Sequence, residues 1–527
     1  MIMSSKTKDK MIRPLHPCKA IVALILILLI LSGVGCTHTA ELQREFYRPT
    51  GISPSCRKVF DKCSESILEK TKKHRIPGLS IAVVDREGIL WSAGFGRSGR
   101  GSQPVTPETL FSIQSMSKTF TATAIMFAVQ DGLVDLDTPI TEYLPEFTVQ
   151  SRWQENPQQK ITLRHLLSHT SGLPHEAPVG NNLDTLYGSF EEHVLSISDT
   201  WLRHRVGARH SYSNLGIDMA AYIVQVKSGM PFTEYMKKKV FDPLGMSTSS
   251  ADYDFVEQYA DRALGHMPFI AEVPVAIPMV AAGGVYTSAA ELSRFVQFHL
   301  NHGTIDGRRL LDDRLIDTMY TSSAVSPGYG LGISIGSKHD TYYLNHSGGG
   351  FGFLTTMTWF PEYGIGCVVL TNSASHDSQH VKIANELLDE LIAEHVVAKD
   401  VSGRIPPGDK LIGKDERLPV LAEEGPVHTP TPYKRQWGRY IGTYRVIARG
   451  YKLNLLVRLV LALGYCDSGM KLTVVKKDGH LCIGDEKLQE YQPGLFFTPS
   501  GEALDLRGSR PTWRNIKMEK SSLFWSL

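Results

Sequence analysis

The chain has 527 residues, of which 42% are hydrophobic and 21% are charged, and its formal net charge at pH 7 is +2. This composition is ordinary for a globular protein, and the length allows two or more domains with a large core. The small net charge, without a basic stripe interleaved with aromatic side chains, gives no reason to expect nucleic acid as a partner. The pattern leaves the oligomeric state open.

The first 36 residues have the order of a secretory signal. Basic residues from Lys6 to Lys19 precede an apolar run at 20–31, and small residues then lead to Cys36. This order predicts export. Three outcomes stay open: full cleavage, cleavage before a lipidated Cys36, or an uncleaved anchor, because the run is near the lower length limit for a membrane span. In each case we expect an exported protein, at the cell surface or held at the membrane by this segment, facing away from the cytoplasm.

The remaining chain divides into four predicted segments. Residues 37–63 lack periodicity and contain Pro and Gly, which indicates a tether. Residues 64–396 alternate strand-like and helix-like patterns, and residues 397–434 are rich in Pro and charge and predict a linker. Residues 435–527 contain short strand-like runs. We expect an α+β domain, with an antiparallel sheet flanked by helices and a helical subdomain, followed by a small all-β, barrel-like domain.

The elements of the large domain are predicted in a simple order. A short helix and a hairpin come first, a helical middle follows, and several strands and a last helix end the domain. Their predicted ranges are a helix at 64–73, strands at 78–84 and 88–94, helices at 116–128, 161–174, 217–226, 232–240 and 288–300, strands at 329–335, 344–350, 355–360 and 366–372, and a helix at 381–394.

The cysteines suggest disulfides rather than a metal site. Cys56 and Cys63 lie close together in the sequence, and an exported protein could bridge them; Cys466 and Cys482 could pair in the same way. No CxxC pair is present, which argues against a structural zinc site.

The strongest chemical signal is Ser115-x-x-Lys118 at the front of the helix predicted at 116–128. Residues three apart lie on one face of a helix, so the Lys118 amine can reach the Ser115 hydroxyl. A serine hydroxyl is a weak nucleophile unless a base lies within hydrogen-bond reach, and a buried lysine can lose its proton and serve as that base. By itself the motif is common in exposed helices, so other parts of the chain must support it.

Two later motifs supply groups that such a serine needs. Tyr212 could take the Ser115 proton and return one to a leaving group, and Asn214 could orient Lys118 and a substrate amide. The part of the strand that follows from His346 could lie along the substrate, with the Gly349 and Ser115 N–H groups as an oxyanion hole. Each has a simpler alternative: Tyr212 as a core tyrosine, Asn214 as a helix N-cap, and His346 as a turn histidine.

With these motifs in this order, the chain resembles the β-lactamase-related serine hydrolases, in the branch of class C β-lactamases, DD-peptidases and esterases. The resemblance covers about residues 64–394. It rests on the segments 111–122 and 163–174, on Tyr212-x-Asn214, and on the segments 283–286 and 346–349. It implies the β-lactamase/transpeptidase-like fold, and the trailing β-domain resembles the barrel-type additions of some members.

The resemblance assigns roles to the motif residues. It implies that Ser115 is acylated, that Lys118 and Tyr212 share the role of base, and that Asn214 binds Lys118 and substrate. The substrate would also lie along the strand residues His346, Ser347, Gly348 and Gly349. It implies no cofactor and no metal, and a small molecule or a peptide as the substrate.

His346 departs from the family pattern, because penicillin-recognising members carry a lysine there. A histidine is mostly neutral at pH 7, so a β-lactam or a D-Ala terminus would lose the cation that anchors its carboxylate. We therefore expect an exported serine hydrolase of ester, amide or peptide bonds. The alternatives are a β-lactamase or D-Ala carboxypeptidase, and a non-catalytic, penicillin-binding-like sensor or scaffold.

Two further patterns compete with this interpretation. His165 and His169 stand four residues apart, as zinc ligands do, but Leu166 occupies the place of the required glutamate, so we interpret both as structural residues that pack near the site. Residues 332–336 match Gly-x-Ser-x-Gly, the nucleophile elbow of α/β-hydrolases. That motif requires a strand that turns sharply into a helix, and the sequence here predicts a hairpin.

Overall fold

The computed structural model describes residues 43–47, 52–99, 103–186, 188–268, 270–394, 428–446, 452–453 and 471–520. The predicted signal segment, most of the predicted linker, Cys36 and Cys466 lie outside these residues. Within the described ranges, no helix combines the length and the apolar character that crossing a bilayer requires.

The helices are α1 (Pro54–Lys73), α2 (Ser117–Gln130), α3 (Leu163–Leu167), α4 (Phe190–Leu195), α5 (Asn214–Ser228), α6 (Phe232–Met236), α7 (Tyr253–Gln258), α8 (Val280–Gly283), α9 (Ala289–Leu300), α10 (Asp313–Tyr320) and α11 (Gln379–Ala393). The strands before α11 are β1 (Gln43–Tyr47), β2 (Gly78–Asp85), β3 (Gly88–Gly96), β4 (Phe111–Ser112), β5 (Ile270–Glu272), β6 (Tyr286–Thr287), β7 (Thr304–Ile305), β8 (Arg308–Arg309), β9 (Ser334–Lys338), β10 (Thr341–Gly350), β11 (Phe353–Phe360) and β12 (Ile365–Thr371). The strands after it are β13 (Gly442–Val446), β14 (Lys452–Leu453), β15 (Lys471–Lys477), β16 (His480–Ile483), β17 (Glu486–Lys487), β18 (Gln489–Gln492), β19 (Leu495–Phe497), β20 (Ala503–Asp505), β21 (Thr512–Trp513) and β22 (Ile516–Lys520).

A seven-stranded antiparallel sheet, in the order β1-β3-β2-β12-β11-β10-β9, forms the centre of the large domain. Alternate side chains of a strand point to opposite faces, and in β2 both sets are apolar. Ile81 and Val83 join the core under α1 and α11, whereas Ala82 and Val84 join the core shared with α9. The predicted antiparallel sheet flanked by helices is confirmed.

Helix α2 lies inside the large domain, with every residue from Ser117 to Ala128 buried. Its Phe120 ring stacks on Phe295 of α9, with 3.8 Å between the ring centroids, and also contacts Phe241. A buried phenylalanine contributes about 1.5–3 kcal/mol to stability through its apolar surface. The helix that carries Lys118 is therefore fixed between the sheet and the helical region.

A second antiparallel sheet of nine strands, in the order β17-β16-β15-β13-β22-β21-β20-β19-β18, follows near the C-terminus. Its two end strands, β17 and β18, are joined through the single buried residue Leu488, which brings the two ends of the sheet together. Trp437, Phe496 and Leu504 fill the space that this sheet encloses. The predicted small all-β domain is thus confirmed as a strongly curved sheet that is close to a barrel.

Helix α1 starts ten residues before the helix predicted at 64–73. The Ser53 side chain accepts a hydrogen bond from the Cys56 N–H at 3.1 Å, and Pro54 stands at the first helical position, where its missing N–H costs nothing. Cys56 and Cys63 therefore lie seven residues apart on one helix, about 10 Å along its axis, and both are free thiols. The predicted Cys56–Cys63 disulfide is wrong. Cys482 is also a free thiol in this structure, and its proposed partner Cys466 lies outside the described residues.

The strand predicted at 329–335 starts only at Ser334, where β9 begins. Gly332 has a φ of 70°, and its carbonyl oxygen accepts a hydrogen bond from Thr119 Oγ1 at 2.8 Å. A Cβ at this position would lie 2.8 Å from the Lys118 carbonyl oxygen, so only glycine lets the loop approach α2 so closely. Because Ser334 begins an antiparallel strand that pairs with β10, the Gly-x-Ser-x-Gly segment is not a nucleophile elbow.

Candidate active site

Ser115 lies in a short 3₁₀ turn, Gln114–Met116, between β4 and α2. Gln114 has a φ of 51°, a left-handed conformation that is uncommon outside glycine. Its side-chain amide donates to Ser112 Oγ at 2.7 Å, and Ser117 Oγ accepts the Val285 N–H at 3.1 Å. These bonds hold a sharp change of chain direction and place Ser115 at the front of the buried helix.

Two side chains meet at the Ser115 hydroxyl. Lys118 Nζ lies 3.1 Å from Ser115 Oγ, and the Tyr212 hydroxyl donates to the same oxygen at 2.9 Å. Lys118 is completely buried, and its Nζ lies 4.8 Å from the centroid of the Tyr212 ring. The structure therefore brings together the predicted nucleophile and both predicted bases, across 97 residues of sequence in the case of Tyr212.

The Lys118 amine has a second partner in the Ala282 carbonyl oxygen, at 2.8 Å. Ala282 belongs to the short helix α8, whose Ala281 carbonyl oxygen accepts from Thr121 Oγ1 at 2.7 Å. When a lysine amine donates one N–H group to a fixed carbonyl oxygen, the directions of the other positions on its nitrogen are fixed as well. The Ala282 contact thus orients Lys118 toward Ser115.

Tyr212 is held by the turn that leads into α5. Ser213 caps this helix: its hydroxyl oxygen accepts the Gly216 N–H at 3.1 Å and its hydroxyl donates to the Pro174 carbonyl oxygen at 2.7 Å. The Ser213 N–H donates to His169 Nδ1 at 3.2 Å, and the His169 ring lies 4.5 Å from that of Tyr212. Complete burial, with Lys118 as a lesser cause, lowers the pKa of His169 well below its usual value, so His169 is a neutral wall of the site.

His165 and His169, which stand four residues apart in the sequence, do not face a common site. His165 shares a hydrogen bond with Thr162 Oγ1 at 2.9 Å, and burial lowers its pKa to about 4, whereas only His169 reaches Tyr212. Among the described residues, no cluster of three or more His, Cys, Asp or Glu side chains could hold a metal ion.

Asn214 lies beside Tyr212 as the first residue of α5, and it is buried. The helix cap is Ser213, so capping does not occupy Asn214. Within the described part of the chain, no hydrogen bond joins the Asn214 side chain to Lys118. The predicted role of Asn214 toward Lys118 and the substrate stays a prediction.

The strand residues His346–Gly350 pass beside the Ser115 turn. A Cβ on Gly348 would lie 2.1 Å from the Ile113 carbonyl oxygen, and the same oxygen accepts from Thr355 Oγ1 at 3.0 Å. The Ser347 hydroxyl is hydrogen-bonded to Thr356 on β11 at 3.0 Å, and Gly349 is exposed. Since β9 pairs with β10 only up to Asn345, the segment from His346 onward has one strand edge without a partner among the described strands.

His346 is neutral and hydrogen-bonded on both ring nitrogens. Its Nδ1 lies 3.0 Å from the Ser347 carbonyl oxygen, which can only accept, so Nδ1 carries the proton. Its Nε2, 3.2 Å from the Tyr329 hydroxyl, must then accept. Burial, with a smaller contribution from Lys118, lowers the pKa of His346 to about 3.

The C-terminal sheet contacts both segments that flank Tyr212. Arg203 donates to Ser211 Oγ at 2.9 Å and forms an ion pair with Glu502 at 2.9 Å. On the other side, Asn515 donates to the Glu176 carbonyl oxygen at 2.8 Å. The Glu176 carboxylate pairs with His175, whose ring stacks on Tyr212 with 5.7 Å between centroids.

The beta-lactamase family model matches residues 58–390. The chain belongs to this family. Membership of this family supports serine-hydrolase, acyl-enzyme chemistry in general terms. The N-terminal and C-terminal parts of the chain lie outside the match.

Individual relatives agree with the family assignment. The chain is 28% identical over 304 residues to "Beta-lactamase-like protein 2" of Dictyostelium discoideum, a match that covers 55% of this chain and 52% of that protein. The fold is similar to the octameric penicillin-binding protein homologue from Pyrococcus abyssi, with a TM-score of 0.53, 22% identity, and coverage of 86% of this chain and 95% of the other. It is also similar to the beta-lactamase/D-alanine carboxypeptidase from Pseudomonas syringae, with the same TM-score and identity, and coverage of 63% and 98%.

Several residues of the site were not predicted from the sequence. The Ala282 carbonyl group, His175 and Tyr329 all contact predicted site residues. The glycine-rich segment at 283–286 pointed to the neighbourhood of Ala282. The sequence does not show, however, which backbone carbonyl group will accept a hydrogen bond from a side chain. Tyr329 stood in a segment that alternates like a strand, and nothing local distinguishes it from a core tyrosine.

Proposed function

We propose that this protein is a serine hydrolase that cleaves ester, amide or peptide bonds through an acyl-enzyme on Ser115. The observation that carries the proposal is the convergence of Lys118 Nζ and the Tyr212 hydroxyl on Ser115 Oγ, at 3.1 and 2.9 Å. A serine with two such neighbours has a route for its proton, which is the requirement for nucleophilic catalysis.

The reaction follows from these contacts. Ser115 Oγ bonds to the substrate carbonyl carbon while its proton passes to the Lys118–Tyr212 pair, and the carbonyl π electrons move to the oxygen. The Gly349 and Ser115 N–H groups stabilise that oxyanion. When the carbonyl re-forms, the bond to the leaving group breaks and Tyr212 returns the proton to the departing alcohol or amine. Water then attacks the acyl ester by the same proton route and releases the carboxylic acid and free Ser115.

The substrate preference follows from the charge of His346. Because this histidine is neutral and already bonded to Tyr329 and the Ser347 carbonyl group, it offers no cation for a carboxylate beside the scissile bond. This favours neutral esters and amides over β-lactams and D-Ala termini. The presence of both Lys118 and Tyr212 at Ser115 also favours an enzyme over a non-catalytic sensor.

The nucleophile is tested by incubating the full-length chain with a fluorophosphonate and locating the adduct by peptide mass. We expect one adduct, on Ser115, that is lost in Ser115→Ala and kept in Ser334→Ala, which removes the serine of the competing motif. Turnover of an activated ester should fall by a factor of about 10³ or more in Ser115→Ala. Equal labelling of wild type and Ser115→Ala would refute the assignment, and a total absence of labelling would favour the sensor.

We also propose that the protein is exported, with its active site outside the cytoplasm. The support is the basic, apolar and small-residue order of residues 1–36. A tag at the C-terminus should be digested by protease added to intact cells. A tag that is protected until the cells are lysed would contradict export.

A further inference from the structure

A carboxylate lies deep among the apolar helices behind the active site. Asp218, on α5, is completely buried between Ile217 and Met219. Ionised side chains avoid such positions unless hydrogen bonds and an opposite charge replace the lost water. The partners of Asp218 therefore indicate what this residue does.

One partner is the backbone of α8. Asp218 Oδ1 accepts the N–H groups of Ala281 and Ala282, each at 3.0 Å. N–H groups in the first turn of a helix have no partner within the helix and need an external acceptor. Asp218 supplies that acceptor from another part of the chain and so fixes the position of α8.

The other partner is His193 on α4, which is also completely buried. Its Nδ1 faces the carbonyl oxygens of Val179 and Gly180, at 2.8 and 3.1 Å, and its Nε2 lies 3.4 Å from Asp218 Oδ2. Carbonyl oxygens and a carboxylate can only accept, so both ring nitrogens face acceptors. Burial acts to lower the pKa of His193, but Asp218 and the two carbonyl groups outweigh it and raise the pKa.

The carbonyl end of α8 reaches the catalytic lysine. The Ala282 carbonyl oxygen accepts from Lys118 Nζ at 2.8 Å, and Lys118 Nζ lies 3.1 Å from Ser115 Oγ. A chain of contacts thus runs from His193 through Asp218 and α8 to Lys118. Neither Asp218 nor His193 is needed to contact the substrate in this arrangement.

We propose that Asp218, paired with His193, is a positioning residue for Lys118, acting through the α8 turn and its Ala282 carbonyl group. This proposal rests on the assignment of Ser115 as the nucleophile and Lys118 as its base. A neutral lysine amine has two N–H groups and one lone pair. When Ala282 accepts one of these N–H groups, the lone pair can face the Ser115 proton.

A small displacement of α8 would remove this alignment. Misplacing a catalytic group by 1 Å can lower a rate by about 10²-fold, even when the substrate binds as before. Loss of the Asp218 acceptor should therefore lower kcat and leave KM nearly unchanged. A general loss of folded protein would lower the amount of active enzyme, but the molecules that stay folded would keep the wild-type kcat.

The test compares Asp218→Ala, which removes the acceptor, with Asp218→Asn, which keeps one carbonyl oxygen for the two N–H groups. Glu291→Ala is the matched control, because Glu291 also accepts a backbone N–H, from Thr248 at 2.9 Å, but its hydrogen bonds do not involve Lys118 or Ala282. For each full-length variant we would measure kcat and KM on an ester, the rate of fluorophosphonate labelling, and the melting temperature.

We expect kcat and the labelling rate to fall about 10- to 100-fold in Asp218→Ala, with KM within about 2-fold of wild type. Asp218→Asn should recover most of the rate, and Glu291→Ala should keep it. Rates in Asp218→Ala equal to those of the control, or a loss in Asp218→Asn as large as in Asp218→Ala, would overturn the proposal. All rates are compared at a temperature where each variant is folded.

If Asp218→Ala does not fold, Asp218→Leu provides the test, because it removes the acceptor but fills the space that alanine leaves empty. A lower kcat at constant KM supports the proposal, whereas an unchanged kcat overturns it. The outcome is distinct from failure of the proposed function. If the proposed function fails, Ser115→Ala is still labelled. If only the Asp218 proposal fails, labelling still depends on Ser115 in every variant.

Discussion

The Tyr329 hydroxyl lies 3.2 Å from His346 Nε2 and donates to it, because the neutral ring has a single proton and carries it on Nδ1, which donates to the Ser347 carbonyl group. Both nitrogens of His346 are thus engaged within the protein. The resemblance predicts a carboxylate-binding lysine at this position only in penicillin-recognising members. Here the position holds a neutral histidine that is hydrogen-bonded to a tyrosine and to its own strand.

Replacing His346 with lysine should change the charge preference of the site. We expect wild type to hydrolyse a neutral ester at least as well as the same ester with a carboxylate beside the scissile bond. In His346→Lys, the kcat/KM ratio of the carboxylate ester to the neutral ester should rise about 10-fold or more, because a hydrogen bond to a charged group contributes about 1.5–3 kcal/mol.

Tyr329→Phe is the control for this prediction. It removes the hydroxyl partner of His346 without adding a charge, so the ratio for the two esters should stay close to that of wild type. A wild-type preference for the carboxylate ester would contradict the inference that His346 is neutral.

The C-terminal domain should influence the reaction through Glu502. This buried carboxylate pairs with Arg203, which also holds Ser211, the residue before Tyr212. Removing one partner of a buried charge pair leaves the other charge unpaired and allows it to move. We expect Glu502→Gln to slow the labelling of Ser115 by about 3- to 10-fold, since Tyr212 is held less firmly.

The matched control is Asp485→Asn, which breaks an exposed ion pair with Lys477 in the same sheet. Exposed pairs contribute little to stability, so this variant should label Ser115 at the wild-type rate. Equal rates in Glu502→Gln and Asp485→Asn would mean that the domain packs beside the site without affecting it.

The sequence predicted what depends on local spacing. Lys118 follows Ser115 by three residues, so any helix brings them together. Tyr212 and His346 were predicted because they belong to motifs of the family that the chain resembles. Strands β2 and β12 were predicted because each is a nearly continuous run of apolar residues. The domain boundaries predicted from composition stay predictions.

Features that arise from long-range packing were not predictable. Asp218 sits in an apolar helical pattern, and its partners at 193, 281 and 282 are distant in sequence, so no local pattern shows that they meet. The strand predicted from the alternation of Leu331 and Ile333 does not form, because Gly332 lets the loop pack on α2 instead. In these places tertiary contacts outweigh the local preference of the chain.

Gly348→Ala should disrupt the site without replacing Ser115, Lys118 or Tyr212. The new Cβ would lie 2.1 Å from the Ile113 carbonyl oxygen, so β10 and the Ser115 turn would have to separate. Overpacking of this kind costs about 1–3 kcal/mol. We expect a lower melting temperature and at least a 10-fold slower labelling of Ser115, because the turn moves away from the strand.

The control is Gly132→Ala, since Gly132 has nothing within 4 Å of the added Cβ but has a φ of 71°. It should lower stability through backbone strain alone and leave the labelling rate of the folded protein unchanged. Labelling at the wild-type rate in Gly348→Ala would show that β10 does not need its close contact with the Ser115 turn.

Buried neutral histidines should make the folded protein less stable in mild acid. Burial lowers the pKa of His299 and of His346 to about 3, compared with about 6.5 in an unfolded chain. Between these values the unfolded chain binds protons that the folded protein does not, so the free energy of unfolding falls as the pH falls below about 6.5. From pH 7 to pH 5 each group should remove about 2 kcal/mol. His193 acts in the opposite direction, because its folded pKa is raised above 6.5. Its contribution to stability is complete below pH 6.5 and is lost as the pH rises through the raised folded pKa.

Urea unfolding at pH 7, 6 and 5 measures this dependence. Between pH 7 and pH 5, the free energy of unfolding should fall by about 2 kcal/mol less in His299→Gln than in wild type. The variant also loses the hydrogen bond to Tyr320, but it loses this bond at every pH. The comparison uses the change with pH, so a uniform loss of stability does not affect it. Parallel curves for the two proteins would mean that His299 titrates in the folded protein as it does in the unfolded chain.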